Sequence, residues 1–192
     1  TEAFFDKITS NLLALVNAED FKVGISSSYI KNLLENLLYQ NDPILELALL
    51  DESARERLKV SKYKVVGPDD LKNRLKNEMF EVASKGKAYY GEFHLTKDMV
   101  PMMEIAVPVE EYKGKRVGVL SAKIHLRYLW NLIPQTQIGK GGSTYVVDKK
   151  GNLIAHPDTR RVLLGQNVKG RLPFLTSTSF LTPQSLQASG VT

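Results

Sequence analysis

The residues of this chain that could bind a metal, attack a carbonyl or cradle a phosphate are few and scattered. His94, His125 and His156 are its three histidines, and no two of them share a compact ligand motif, so they do not read as a metal site. Ser121 lacks a nucleophile elbow, and no ordering of serine, histidine and aspartate points to a triad. Gly139, Gly141 and Gly142 are as dense as the glycines of a phosphate loop, but no Lys-Ser/Thr pair follows into a helix, and they read as turn residues. The chain has no cysteine, which excludes disulfides and thiolate metal sites and leaves the redox compartment open. What remains is binding without bond-making. Gly118, Ser121 and Ala122, small residues within an apolar strand, leave room for a neighbouring element or a ligand to approach the backbone.

The elements that would position such a site follow from periodicity. Ala3 to Val16 is helical in pattern, with Phe5, Leu12, Leu13 and Val16 forming an incomplete stripe. After a polar break from Ala18 to Gly24, Ser26, Ser27 and Ser28 offer caps for a second helix, whose Ile30, Leu33, Leu34, Leu37 and Leu38 make one apolar face before Asn41-Asp42-Pro43. Ile44 to Leu50 and Arg57 to Val66 read as strands around the turn Asp51 to Ala54. Gly67-Pro68-Asp69-Asp70 then opens a helix with Leu71, Leu75, Met79 and Val82 on one side and Gly86 as its stop. Tyr89 to Leu95, Met102 to Val109 and Val117 to Ile124 follow as strands. Leu126, Leu129, Trp130 and Ile133 form a short helix that Pro134 ends, and Thr144 to Val147 with Leu153 to Ala155 make a hairpin closed by His156-Pro157-Asp158. Strands that follow helices and are joined mostly by short turns point to an α+β chain with an antiparallel sheet of the PAS-like kind.

The 192 residues can bury one good core or two modest ones, and 26 basic against 21 acidic side chains give a mild net charge of +5. The basic residues are spread out. Lys59, Lys62 and Lys64 along a strand, and Lys72, Arg74 and Lys76 along a helix, read as solvated decoration, and no nucleic-acid partner is expected. No stretch approaches the roughly 18 apolar residues of a membrane span.

Ile105-Ala106-Val107-Pro108-Val109, Gly118-Val119-Leu120, Leu126 through Trp130, Tyr145-Val146-Val147-Asp148, Gly151 and Ala155-His156-Pro157-Asp158 together resemble the double Cache family, most specifically from about Met103 to Val168. These are extracytoplasmic ligand-sensing domains of bacterial and archaeal histidine kinases, chemoreceptors and cyclases. The resemblance implies a long N-terminal helix in a helical region over 1–41, a PAS-like membrane-distal sensing module over 42–134, and a membrane-proximal module over 135–192 that is incomplete. It further implies membrane helices before Thr1 and after the domain, a small-molecule ligand, no cofactor, and a non-enzymatic role in a membrane-tethered receptor, most often a histidine kinase. The partial stripe of the first helix adds a homodimer contact to these expectations.

Amino-acid-binding members of the family carry Arg-x-Trp-Tyr near the helix after the first hairpin, a Tyr and an acid on the next strand, and an Asp in the strand before the short helix. Those positions fall here on Asn77-Glu78-Met79-Phe80, near His94 and Thr96, and on Lys123. The polar groups of the motif are replaced, which disfavours free amino acids. If the Lys123 ammonium faces the pocket, a ligand carboxylate would balance it, and a small organic acid is expected. Otherwise Lys123 reaches solvent or pairs with a protein acid such as Glu92 or Glu104. His94 is either an exposed strand histidine or a ligand donor, and Tyr89 and Tyr90 pack, with one hydroxyl, assigned to Tyr90, at the cavity. The expected ligand set is thus Lys123, His94, Thr96, Asn77, Phe80, Tyr90 and Ser121. Two other classes stay open: an interaction module with an empty pocket that dimerises or senses a periplasmic partner protein, and an enzyme or cytoplasmic cofactor-binding domain.

Overall fold

A computed structural model describes residues 2–19, 21, 28–111, 114–133, 137–138, 142–143, 145–148 and 150–169. The expected caps Ser26 and Ser27, the glycines 139 and 141, and everything assigned beyond Lys169 lie outside the described residues. The described residues divide into two compact units that interleave along the chain, one formed by 3–91 with 103–125 and the other by Glu2, 92–102 and the described residues of 126–169.

The first unit holds helices α1 (Glu2–Asn17) and α2 (Ser28–Gln40), strands β1 (Ile44–Asp51) and β2 (Glu56–Ser61), a 3₁₀ turn at Pro68–Asp70, helix α3 (Glu78–Ala83), strand β3 (Tyr89–Tyr90), and most of β5 (Pro101–Glu110) and β6 (Arg116–His125). Its sheet runs β2-β1-β6-β5-β3, with β1 antiparallel to both β2 and β6 and β3 antiparallel to β5. Both faces are covered. Ala48, Leu50, Ala106 and Val119 pack with Met79, Phe80 and Ala83 of α3, while the alternate residues Leu47, Leu49, Ile105, Leu120 and Ile124 are fully buried on the opposite face. That second face meets α2, whose Ile30, Leu34 and Leu38 are buried at helical spacing, and α2 lies along β1 and β2. A Cβ at Gly118 would sit 2.1 Å from the Leu50 carbonyl oxygen, so glycine there is what lets β6 lie this close to β1.

Two expectations about this unit are corrected. The helix expected from Gly67 to Gly86 exists only as α3. Its start is fixed by Asn77, whose side chain accepts from the Met79 amide at 2.9 Å. The preceding residues pair with the turn after β1: the Glu56 amide donates to Lys72 O and the Arg74 amide to Ala54 O. Tertiary hydrogen bonds thereby outcompete helix propensity, and Leu75 is left exposed. Strand β2 stops at Ser61 instead of Val66, and Lys62 turns back to donate to Asn41 O and Asp42 O just past the end of α2.

The second unit contains β4 (His94–Leu95), paired with Pro101 and Met102 at the start of β5, then α4 (Arg127–Leu132), β7 (Gln137–Ile138) with β8 (Gly142–Ser143), the hairpin β9 (Val146–Val147) and β10 (Leu153–Ala155), and α5 (Thr159–Leu163). Trp130 of α4 donates from Nε1 to the Ile154 carbonyl at 2.7 Å, which fixes this helix to the hairpin. His156-Pro157-Asp158 forms the corner after β10, where Asp158 caps α5. No helix among the described residues is long and apolar enough to cross a membrane.

Candidate ligand-binding site

The α3 face of the sheet in the first unit is apolar at its centre and charged beside it. Register explains why. Glu46 lies opposite Lys123, Ala48 opposite Lys59 and Leu50 opposite Glu56, and because Ala48 and Leu50 pack on α3, these charged residues share that face. Glu104, two residues from Ala106 on β5, is on it as well.

The charges form one chain of alternating sign. Lys123 Nζ is 2.8 Å from Glu46 Oε1, and Lys59 Nζ is 3.1 Å from the same carboxylate and 3.4 Å from Glu56 Oε2. Arg74 Nε donates to Glu56 Oε1 at 3.0 Å, and Arg74 Nη1 donates to Glu104 Oε1 at 2.9 Å. Glu56 is fully buried and also accepts from the Lys72 amide at 3.1 Å. Three cations therefore balance three carboxylates, which is the condition under which such burial is tolerated. Lys123 is the solvated end of the chain, its side chain 39% exposed, while Glu104 at 17% is only partly covered and Lys59 and Glu56 are buried.

The electrostatics follow the pairing. Burial alone pushes the Glu46 carboxyl up, but Lys123 and Lys59 outweigh it and hold the group below the usual carboxylate range. For Arg74, burial works against the charge, while Glu104 and Glu56 reinforce it and leave the guanidinium more firmly protonated than an ordinary arginine.

The expected site residues fall in four places. Lys123, Ser121 and Phe80 lie on this face: Ser121 is buried opposite Ala48, Phe80 belongs to the α3 core, and Lys123 has found a protein acid, Glu46, where Glu92 or Glu104 had been expected. Asn77 spends its side chain capping α3. Tyr90 is on the opposite face, its hydroxyl 3.0 Å from Thr9 Oγ1 of α1, whereas its neighbour Tyr89 packs against the α3 cluster and reaches Glu78. His94 and Thr96 belong to the other unit, where His94 is exposed and Thr96 closes a turn by accepting from the Val100 amide at 3.1 Å. Lys59 and Arg74, expected as solvated decoration, are buried in the charge chain, because carboxylates on neighbouring segments draw them in.

An antiparallel sheet with helices before it and a short helix over one face is a PAS-like α+β arrangement. The chain belongs to the Cache domain family, whose model matches residues 1–185. No curated protein sequence matches it. In fold it is similar to the ligand-binding domain of the Pseudomonas aeruginosa PAO1 amino acid chemoreceptor PctC in complex with GABA, at 15% identity and TM-score 0.60, covering 84% of this chain and 69% of that one. It is similar to the sensory domain of the Campylobacter jejuni chemoreceptor Tlp3 with isoleucine bound, at 18% identity and TM-score 0.65, covering 84% and 66%. It is also similar to the extracellular domain of the putative histidine kinase vpHK1S-Z8, at 19% identity and TM-score 0.61, covering 82% and 63%.

Cache domains are the extracellular, non-catalytic sensor domains of membrane receptors, and this chain is a ligand-binding signalling module of that kind. The expectation that disfavoured free amino acids, in favour of organic acids, is overturned: neighbours in this fold hold GABA and isoleucine. The polar groups of the family motif are replaced at the matching positions, whereas the α3 face carries both charge signs from other residues.

Proposed function

We propose that this chain is the sensing domain of a histidine kinase or chemoreceptor and that it binds a free amino acid, or a close zwitterionic relative, on the α3 face of its sheet. The observation that carries this reading is the alternating charge chain from Lys123 to Glu104 beside the apolar cluster of Met79, Phe80 and Tyr89. A zwitterion needs a cation for its carboxylate and an anion for its ammonium, and an apolar neighbour for its side chain. Arg74, Glu104, Lys123, Ser121 and Phe80 are the proposed contacts, with Tyr89 in the role expected of Tyr90. Signal then leaves through β3, where Tyr89 packs with α3 and the adjacent Tyr90 grips α1. Ligand can shift that equilibrium only by binding one conformation better than the other.

The test is a thermal-shift screen of the purified domain against the twenty L-amino acids and GABA, followed by titration calorimetry of any hit. A ligand at 100 times its Kd stabilises by about 2.7 kcal/mol, enough to move the melting temperature by several degrees. Binding of an amino acid supports the reading, and no shift with any of them overturns it.

A further inference from the structure

We infer that Glu104 is an internal stand-in for the ligand carboxylate: it holds the Nη end of the Arg74 guanidinium until a ligand carboxylate takes that place, and is then released to take the ligand ammonium. This rests on the reading of the α3 face as an amino-acid site and adds to it a residue pair and a rule of charge selection.

The two carboxylates on Arg74 are not equivalent. Glu56 is fully buried and fixed by the Lys72 amide and Lys59 as well as by Arg74 Nε. Glu104 touches Arg74 through Nη1 alone, and its side chain retains some exposure. A guanidinium offers Nη1 and Nη2 as a two-pronged edge that matches a carboxylate, and Glu104 engages only one prong. A ligand carboxylate that takes both prongs gains a hydrogen bond over the contact it replaces, while Glu56 keeps the guanidinium oriented from the Nε side.

Displacement has a consequence for charge. Once freed, Glu104 is a partly buried carboxylate without its cation, a costly state unless something replaces Arg74. The ammonium of a zwitterion does so, and the exchange then swaps one ion pair for two with no net charge brought in. A simple carboxylate strands Glu104, and a simple amine has to compete with Arg74 while leaving the guanidinium in place. The pair therefore selects for molecules that carry both charges.

Calorimetry on the wild-type domain and Glu104→Gln tests this with the twenty L-amino acids, and with isovalerate and isobutylamine as the singly charged counterparts of L-valine, and propionate and ethylamine as those of L-alanine. The glutamine oxygen can still accept from Arg74, so the variant keeps the local contact without the charge. The expected result is that the best amino acid binds wild type at least tenfold more tightly than the carboxylates and amines, and that Glu104→Gln weakens it at least tenfold while strengthening the carboxylates. An amino acid that binds wild type and Glu104→Gln equally well overturns the role of Glu104 and leaves the amino-acid reading standing. Failure of every amino acid to bind wild type overturns both.

Discussion

The hydroxyls of Tyr90 and Thr9 meet at 3.0 Å and tie the last strand of the sheet to α1. Tyr90→Phe removes this one hydrogen bond and keeps the ring. The expected cost is about 0.5–1.5 kcal/mol in urea denaturation, the usual net worth of an intramolecular hydrogen bond. Because the residue faces away from α3, amino-acid affinity should stay within about twofold. A larger change in affinity would mean that the Tyr90–Thr9 contact biases the equilibrium between ligand-binding conformations.

Lys59 and Lys123 share the Glu46 carboxylate but should contribute very differently to stability. Lys59 is buried between Glu46 and Glu56, so Lys59→Met leaves the buried cluster one cation short, with Lys123 and Arg74 still facing those carboxylates, and should cost about 3 kcal/mol. Lys123 is partly exposed, and in Lys123→Met the Glu46 carboxylate retains Lys59, so the cost should be at most about 1 kcal/mol. Denaturation midpoints decide this, and equal effects would sink the picture of a buried centre with a solvated end.

Much of the fold was legible because burial is periodic. Ile30, Leu34 and Leu38 mark α2, and the small residue Gly118 marks the close approach of β6 to β1. The charge chain was not legible, since it is built from distant segments: Arg74 meets Glu56 and Glu104 at separations of 18 and 30 residues. One local signal was present. Glu46 is the single charge between Ile44 and Leu50, and a carboxylate in a strand buried on both faces has to find cations. Spacing alone made Lys59 and Arg74 look solvated, because spacing records which face a side chain takes and not what waits there.

The depressed pKa of Glu46 gives a signed pH dependence. Its carboxylate stabilises the fold above the unfolded glutamate value of about 4.3, and that contribution fades as the pH falls through the lower folded value. In Glu46→Gln the carboxyl no longer titrates. The variant should be less stable than wild type near neutral pH, and the gap should narrow as the pH is lowered below about 4.3. Urea denaturation at a series of pH values measures the gap, and a constant difference across the acid range would contradict the assigned ion pairs.

Among the described residues, two other than glycine adopt left-handed backbone, and their surroundings predict opposite responses. Met99 has φ 57° and lies at the surface, 44% exposed, in the turn that Thr96 closes, so its side chain is only partly packed. Left-handed geometry costs most residues roughly 1–2 kcal/mol, and asparagine tolerates it better, so Met99→Asn should stabilise the domain by about 0.5–1 kcal/mol. Ala54 has φ 62° but is fully buried in the α3 cluster, and its carbonyl accepts from the Arg74 amide. In Ala54→Gly the relief of strain is offset by the lost burial of a methyl group, about 0.8 kcal/mol, and by the greater freedom of the unfolded glycine chain. No stabilisation is expected there. A gain at Ala54 as large as that at Met99 in thermal denaturation would show that the Ala54 methyl contributes nothing to the packing beneath α3.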